Sequence, residues 1–186
     1  MTARITPIPS PYPQPAADLF TRITPPGSEP LKLFRTMARS PRVLERMFAG
    51  ALLDPGPLPL RDRELMILRT CARCGAEYEW GVHAAFFSRR AGLSPDELAA
   101  TCEETVGPAW NPRDALILRL ADALHRHATA GEDLWQLLAK EFSDVQLLEL
   151  LALAGYYHAI SFIANASGVE AEEGAPRFPT GMRMAQ

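Results

Sequence analysis

Arg61-Asp-Arg-Glu-Leu-Met-Ile-Leu-Arg69, followed closely by Glu77-Tyr-Glu-Trp-Gly-Val-His83, decides how this 186-residue chain folds. In the first stretch Glu64, Ile67, Leu68 and Cys71 recur at i, i+3, i+4 and i+7, which is one face of an α-helix. In the second, Glu79 and His83 stand four residues apart on a face shared with Phe86, Phe87 and Arg90. Two strongly apolar helices therefore carry three proton-handling side chains. Burying an unpaired charge costs several kcal/mol, so Glu64, Glu79 and His83 need partners or a task.

Working outward, Gly75 separates a helix over about 60–74 from one over about 76–91, which Gly92 ends. Ser94-Pro-Asp-Glu97 is a capping box opening a short helix to about residue 104. Asn111-Pro112 opens a helix to about 128, a shorter one covers 133–142, and Ser143 caps a long one ending near 166. Toward the N-terminus, Ser28 is read as the cap of a helix over 29–38, and Ser40-Pro41 opens another to about 52. No stretch alternates with period two for long enough to form a sheet, so the expected fold class is all-α. The last long helix is apolar almost all round, the pattern of a helix enclosed on every side. A bundle this small has little room for that, so association into a homo-oligomer is expected.

Residues 1–27 carry proline at 7, 9, 11, 13, 15, 25 and 26, which reads as an extended arm rather than a helix. Such an arm either drapes over the body or a neighbouring subunit, or forms a loose leader. The expected organisation is an arm over 1–27, a helical domain over 28–170 and a tail over 171–186. An apolar fraction of 47% is enough to build a core, and a net charge of -3 with a pI near 5.8 gives no reason to expect nucleic-acid binding. Three cysteines cannot all pair within one chain, the start lacks a secretory apolar core, and no run reaches ~18 uncharged apolar residues. These features together read as a cytoplasmic protein with reduced thiols and no membrane partner.

The chemistry-bearing residues admit more than one reading. Glu64 forms a salt bridge with Arg61 or Arg63, or it serves a site. Glu79 and His83 form a helix ion pair worth ~0.3 kcal/mol, or a donor–acceptor set active near neutral pH. Tyr78, Trp80 and Phe87 around them suggest a semi-enclosed pocket. A neighbouring carboxylate raises the histidine pKa and burial lowers it, and the sequence leaves that balance open. Arg63 or Arg69 could hold a substrate carboxylate. Cys71-Ala-Arg-Cys74 has the spacing of a redox pair, but it falls near a helix C-terminus, where the dipole raises a thiol pKa; Arg69 and Arg73 partly offset this. The bland reading makes both thiols small buried residues, and Cys102 structural. Glu64, Glu79, His83 and His158 could in principle converge on a metal, but Glu-x-x-x-His is no recognised ligand spacing, so neither metal nor cofactor is expected. His125 and His127 point to different helix faces and are assigned to the surface.

At these residues the chain resembles the carboxymuconolactone decarboxylase family, which includes the alkylhydroperoxidase D proteins. The carriers, within about residues 30–170, are Arg61-x-Arg-Glu-Leu-x-Ile-Leu-Arg69, Gly75-x-Glu-Tyr-Glu-Trp-x-x-His83, Ala91-Gly-Leu-Ser94 and Glu149 through Gly155-Tyr-Tyr157. Asn165-Ala-x-Gly168 and Pro176-x-Phe-Pro179 are also similar. The resemblance implies an alkylhydroperoxidase D-like helical bundle in trimers or larger assemblies such as hexamers. The peroxidase branch uses a Glu, two Cys three apart, and a His four residues beyond the second Cys. Here Glu64 and His83 match, while Ala76 and Glu79 stand where the cysteines belong; Cys71 and Cys74 come five residues too early. The decarboxylase branch carries a Glu at the place of Glu79, which favours acid–base chemistry. The resemblance thus implies a cofactor-free lyase or isomerase acting on a small carboxylated lactone or related acid, with Glu64, Glu79 and His83 catalytic. The alternatives are a thiol peroxidase using Cys71 and Cys74, and a non-catalytic oligomeric binding protein in which the cluster is structural.

Overall fold

Gly75 sets the geometry of the centre. Its φ of +61° lies in the left-handed region that glycine occupies without strain. It closes a helix-ending motif in which the Ala76 amide donates to the Cys71 carbonyl (2.8 Å) and the Gly75 amide to the Ala72 carbonyl (3.1 Å). The chain thereby reverses within three residues and lays the next helix beside the last. The computed structural model describes residues 3–108 and 110–180. Among them are nine helices and no strand: α1 (Ala16–Ile23), α2 (Lys32–Met37), α3 (Pro41–Ala49), α4 (Leu60–Arg73), α5 (Glu77–Phe87), α6 (Pro95–Ala100), α7 (Pro112–His127), α8 (Glu132–Glu141) and α9 (Asp144–Ser167). The chain is all-α.

The centre of the bundle is α4, packed against α5, α7 and α9. Leu65 through Ala72 are all buried, and so are Asp62 and Glu64. Its buried charges are matched from neighbouring helices. Arg113 of α7 donates to Asp62 (2.6 Å), and Arg61 donates to Asp114 of α7 (2.7 Å) and to Glu97 of α6. Glu97 also closes the capping box with Ser94 that the sequence predicts.

Two expectations change. The arm is not extended throughout, because Ala16–Ile23 is a two-turn helix. That stretch lacks proline, carries Asp18 in its first turn and Arg22 in its last, and buries Ala16 and Phe20. The arm drapes over the body: the Arg4 amide donates to the Ser167 carbonyl at the end of α9, and the Ile8 amide to the Arg35 carbonyl. Second, Ser28 does not cap α2, which starts at Lys32. Pro30 disfavours helical geometry at the residue before it, so the helix begins only beyond it. Within a single chain, α9 is enclosed on one side only. Its 24 residues are long and apolar enough to cross a membrane by length and composition alone. One face, including Leu147, Leu150, Leu153, Tyr157 and Ile160, is buried in the bundle, while Leu148 and Phe162 on the other are 66% and 64% exposed.

Residues 171–178 cross α5 near its start. Tyr78 donates to Glu172 (2.6 Å), the Phe178 amide donates to Glu77 (3.0 Å), and Phe178 packs on Trp80 with ring centroids 5.4 Å apart. The crossing requires a glycine beneath it, since a Cβ at Gly81 would lie 2.4 Å from the Pro176 carbonyl oxygen.

Candidate active site

Three helices bring four side chains together: Glu64 from α4, Glu79 and His83 from α5, and Tyr157 from α9. Each lies on the buried face of its helix. Glu64 approaches His83 through its Oε2, 2.7 Å from Nδ1. The other ring nitrogen, Nε2, lies 3.0 Å from the Tyr157 hydroxyl and 3.5 Å from Glu79 Oε1. The imidazole is thus bracketed, with acceptors available at both nitrogens.

That bracketing settles the balance left open by the sequence. Burial disfavours the imidazolium, but the hydrogen bonds and charges of Glu64 and Glu79 outweigh it and raise the His83 pKa to about 9. At neutral pH His83 is therefore the cation, with Nδ1–H donating to Glu64 and Nε2–H directed at Tyr157 and Glu79. Burial, and secondarily the charge of Glu79, push the Tyr157 phenol well above its ordinary value, so it stays a neutral hydroxyl.

The expected pocket residues divide. Phe87 lies against the His83 ring at 5.2 Å, and the guanidinium groups of Arg63 and Arg90 each stand 5.9 Å from the Phe87 ring. Arg63 also donates to Glu64 (3.3 Å) and to the Leu53 carbonyl (2.9 Å). Arg69, by contrast, has no free face for a ligand. It is fully buried, pairs both Nε and Nη2 with Asp122 at 2.8 Å, and donates through Nη1 to the Thr101 and Glu103 carbonyls. A guanidinium so occupied fastens the 101–104 turn to the core. Tyr78 and Trp80 are likewise engaged by other partners. Tyr78 is held by Glu172 and the Leu33 amide, and Trp80 donates to Thr101 (3.0 Å).

The thiols are free, and none is activated. Burial, then the charge of Glu79, push Cys71 well above the ordinary thiol value, and burial also raises Cys74. Both sit at the C-terminal end of α4, where the helix offers carbonyl oxygens rather than amide hydrogens. Ala76, at the place of the first peroxidase cysteine, is the buried residue immediately before α5, and Glu79 occupies the place of the second.

Tyr157 was not singled out as a site residue from the sequence, though a signal existed. It falls on the apolar repeat Leu150, Leu153, Tyr157, Ile160, and a tyrosine on a buried stripe needs a partner for its hydroxyl. Asp122, the partner of Arg69, gave no comparable signal, because its placement depends on how α7 lies across α4.

Residues 39–123 match the model of the carboxymuconolactone decarboxylase family. The fold matches solved structures over nearly its whole length. One is an uncharacterised peroxidase-related protein with an alkylhydroperoxidase AhpD core from Ralstonia eutropha JMP134, at 19% identity and a TM-score of 0.79, covering 92% of this chain and 95% of that one. Within residues 39–123 the chain is thus similar to the carboxymuconolactone decarboxylase family, and its fold is that of the alkylhydroperoxidase AhpD core. A peroxidase-related protein from Silicibacter sp. TM1040 is similar at 16% identity, with a TM-score of 0.78 and coverage of 92% and 94%. A cysteine-to-alanine variant of the debrominase Bmp8, in complex with 2,3,4-tribromopyrrole, is similar at 17% identity, with a TM-score of 0.70 and coverage of 93% and 94%. No curated protein matches the chain in sequence. At these identities the solved structures speak to the fold, and the site must be read from its own residues.

Proposed function

We propose that the protein is a cofactor-free acid–base enzyme that decarboxylates or isomerises a small carboxylated lactone or related activated acid. The observation that carries this reading is the bracketed His83 imidazolium, a general acid charged at neutral pH by two carboxylates. In decarboxylation the carbon–carboxylate bond breaks, carbon dioxide leaves, and the electron pair stays on the adjacent carbon, delocalised into the lactone. His83 Nε2–H then supplies the proton that quenches this carbanion, directly or through the Tyr157 hydroxyl. Glu64 holds Nδ1–H and keeps the ring oriented, and Glu79 stabilises the positive charge. Solvent returns the proton to His83 to complete the cycle. Arg63, beside Glu64 and Phe87, is suited to a carboxylate that the product retains, since pairing the departing one would stabilise the ground state. Three free thiols fit a reducing, cytoplasmic compartment.

The thiol-peroxidase reading receives no support from Cys71 and Cys74, whose thiols are raised rather than lowered. The test is carbon dioxide release from a panel of carboxylated γ-lactones. Replacing His83 by Ala is expected to cut turnover about 100-fold or more in folded protein. Undiminished turnover in that variant removes His83 from the chemistry, and peroxide consumption lost on Cys71→Ser would favour the thiol reading instead.

A further inference from the structure

Cys74, His125 and His158, none of which belongs to the acid–base cluster, converge from three separate elements. Cys74 terminates α4, His125 lies in the last turn of α7, and His158 lies midway along α9. One ligand atom from each falls within 4.8 Å of the other two. From these residues we infer a binding site for a divalent transition-metal ion of the zinc class, distinct from the acid–base cluster and independent of the function proposed for it.

The distances fit. Zinc bonds of ~2.3 Å to sulfur and ~2.0 Å to nitrogen, at tetrahedral angles, place the ligand atoms ~3.5 Å apart for sulfur–nitrogen and ~3.3 Å for nitrogen–nitrogen. Here Cys74 Sγ lies 3.8 Å from His125 Nδ1, and His125 Nδ1 lies 3.1 Å from His158 Nε2. Small side-chain rotations convert one arrangement into the other.

The surroundings orient the ligands as a metal site requires. His158 donates Nδ1–H to the Ala154 carbonyl at 2.7 Å, which fixes the tautomer and turns the Nε2 lone pair toward the other two residues. Asn165 donates to the Cys74 carbonyl at 2.9 Å, tying the end of α4 to α9. The nearby Arg73 is engaged by Asp122 and by the Glu103 and Glu104 carbonyls, which directs its charge away from the cluster. Metal binding releases one proton as the Cys74 thiol becomes a thiolate, and no electron transfer is involved. His125 is exposed, so the fourth position opens to solvent and would hold water or a small exogenous ligand.

The sequence hid this site because its ligands are 51 and 33 residues apart and follow no short metal-binding pattern. It depends on where α4 ends against α7 and α9.

The experiment is metal titration of tag-free, reduced protein. Zinc is followed by competition with a chromophoric chelator, and cobalt(II) by its absorption spectrum. The expected result is one ion per chain, with a thiolate-to-cobalt charge-transfer band and the intense visible bands of tetrahedral cobalt. Replacing Cys74 by Ser should abolish the charge-transfer band. Replacing His125 or His158 by Ala should weaken zinc binding about 100-fold or more, whereas His127→Ala and Cys102→Ser should leave it unchanged. Because His125 lies at the surface, His125→Ala is expected to retain the helical circular-dichroism spectrum, which makes its loss of binding interpretable. Absence of saturable binding, or equal binding by wild type, Cys74→Ser and His125→Ala, would overturn the assignment.

Discussion

Raising the pH from 6 to 10 is expected to cost the folded protein about 3 kcal/mol through His83 alone. The folded-state value is about 9 and the ordinary value 6.5. The difference, at about 1.4 kcal/mol per pH unit, gives that figure. The raised pKa fixes the sign. Below pH 6.5 both folded and unfolded chains hold the proton and the stabilisation is fully present. Between 6.5 and 9 the unfolded chain has lost the proton and the folded one keeps it, so the stabilisation drains away, and above about 9 it is gone. For a chain of this size the loss corresponds to a drop in Tm of about 6–12 °C. The assay is reversible urea unfolding across the pH range for wild type and His83→Gln. Gln keeps polar contacts with Glu64 and Tyr157 but cannot titrate. Cys71 and Cys74 also lose stabilisation as the pH rises, since their folded values lie above the unfolded ones, but they do so in both proteins and cancel in the difference. The two stability curves should therefore converge by about 3 kcal/mol between pH 6 and 10. Parallel curves would refute the bracketing of His83 by Glu64 and Glu79.

Other consequences can be checked separately. Replacing Arg69 by Met should destabilise the protein by about 3 kcal/mol in urea unfolding, because Asp122 and two carbonyl oxygens lose a buried donor, while kcat/KM per folded molecule holds; a selective rise in KM would restore Arg69 to the pocket. Arg63→Ala should do the reverse, raising KM with little change in Tm. Gly81→Ala should cost about 1–3 kcal/mol, since its Cβ would strike the Pro176 carbonyl and lift the tail from α5, which proteolysis of the tail would report. The apolar face bearing Val145, Leu148 and Phe162 is expected to be covered by further copies of the chain. Light scattering should give a trimer or larger assembly, with dimer the smallest acceptable result, and Leu148→Glu should dissociate it; a monomeric wild type would contradict this.

How much the sequence revealed depended on the range of each interaction. Helix starts set by nearby residues were legible, as with Ser94 and Glu97, Asn111 with Asp114, and Ser143 with Gln146, because their hydrogen bonds span three residues. The short α1 was hidden by the proline density around it. Glu64, Glu79 and His83 could be brought together on paper because Gly75 forces two helices carrying them to lie side by side. Tyr157 is 74 residues from His83, and its role depends on the rotation of α9 about its axis. Arg69 was misassigned for the same reason: a guanidinium on an apolar helix serves a ligand or a buried acid, and only the position of α7 decides which. The Cys74–His125–His158 cluster is the extreme case, with three elements and no local pattern.

The most direct test is nitrogen-15 NMR of the His83 ring in wild type and in Glu64→Gln. The account predicts that both ring nitrogens of wild-type His83 are protonated at pH 7 and that the ring titrates at about 9, with a lower value once Glu64 is neutralised. A ring already neutral at pH 7, or one whose titration ignores the Glu64 substitution, would contradict it.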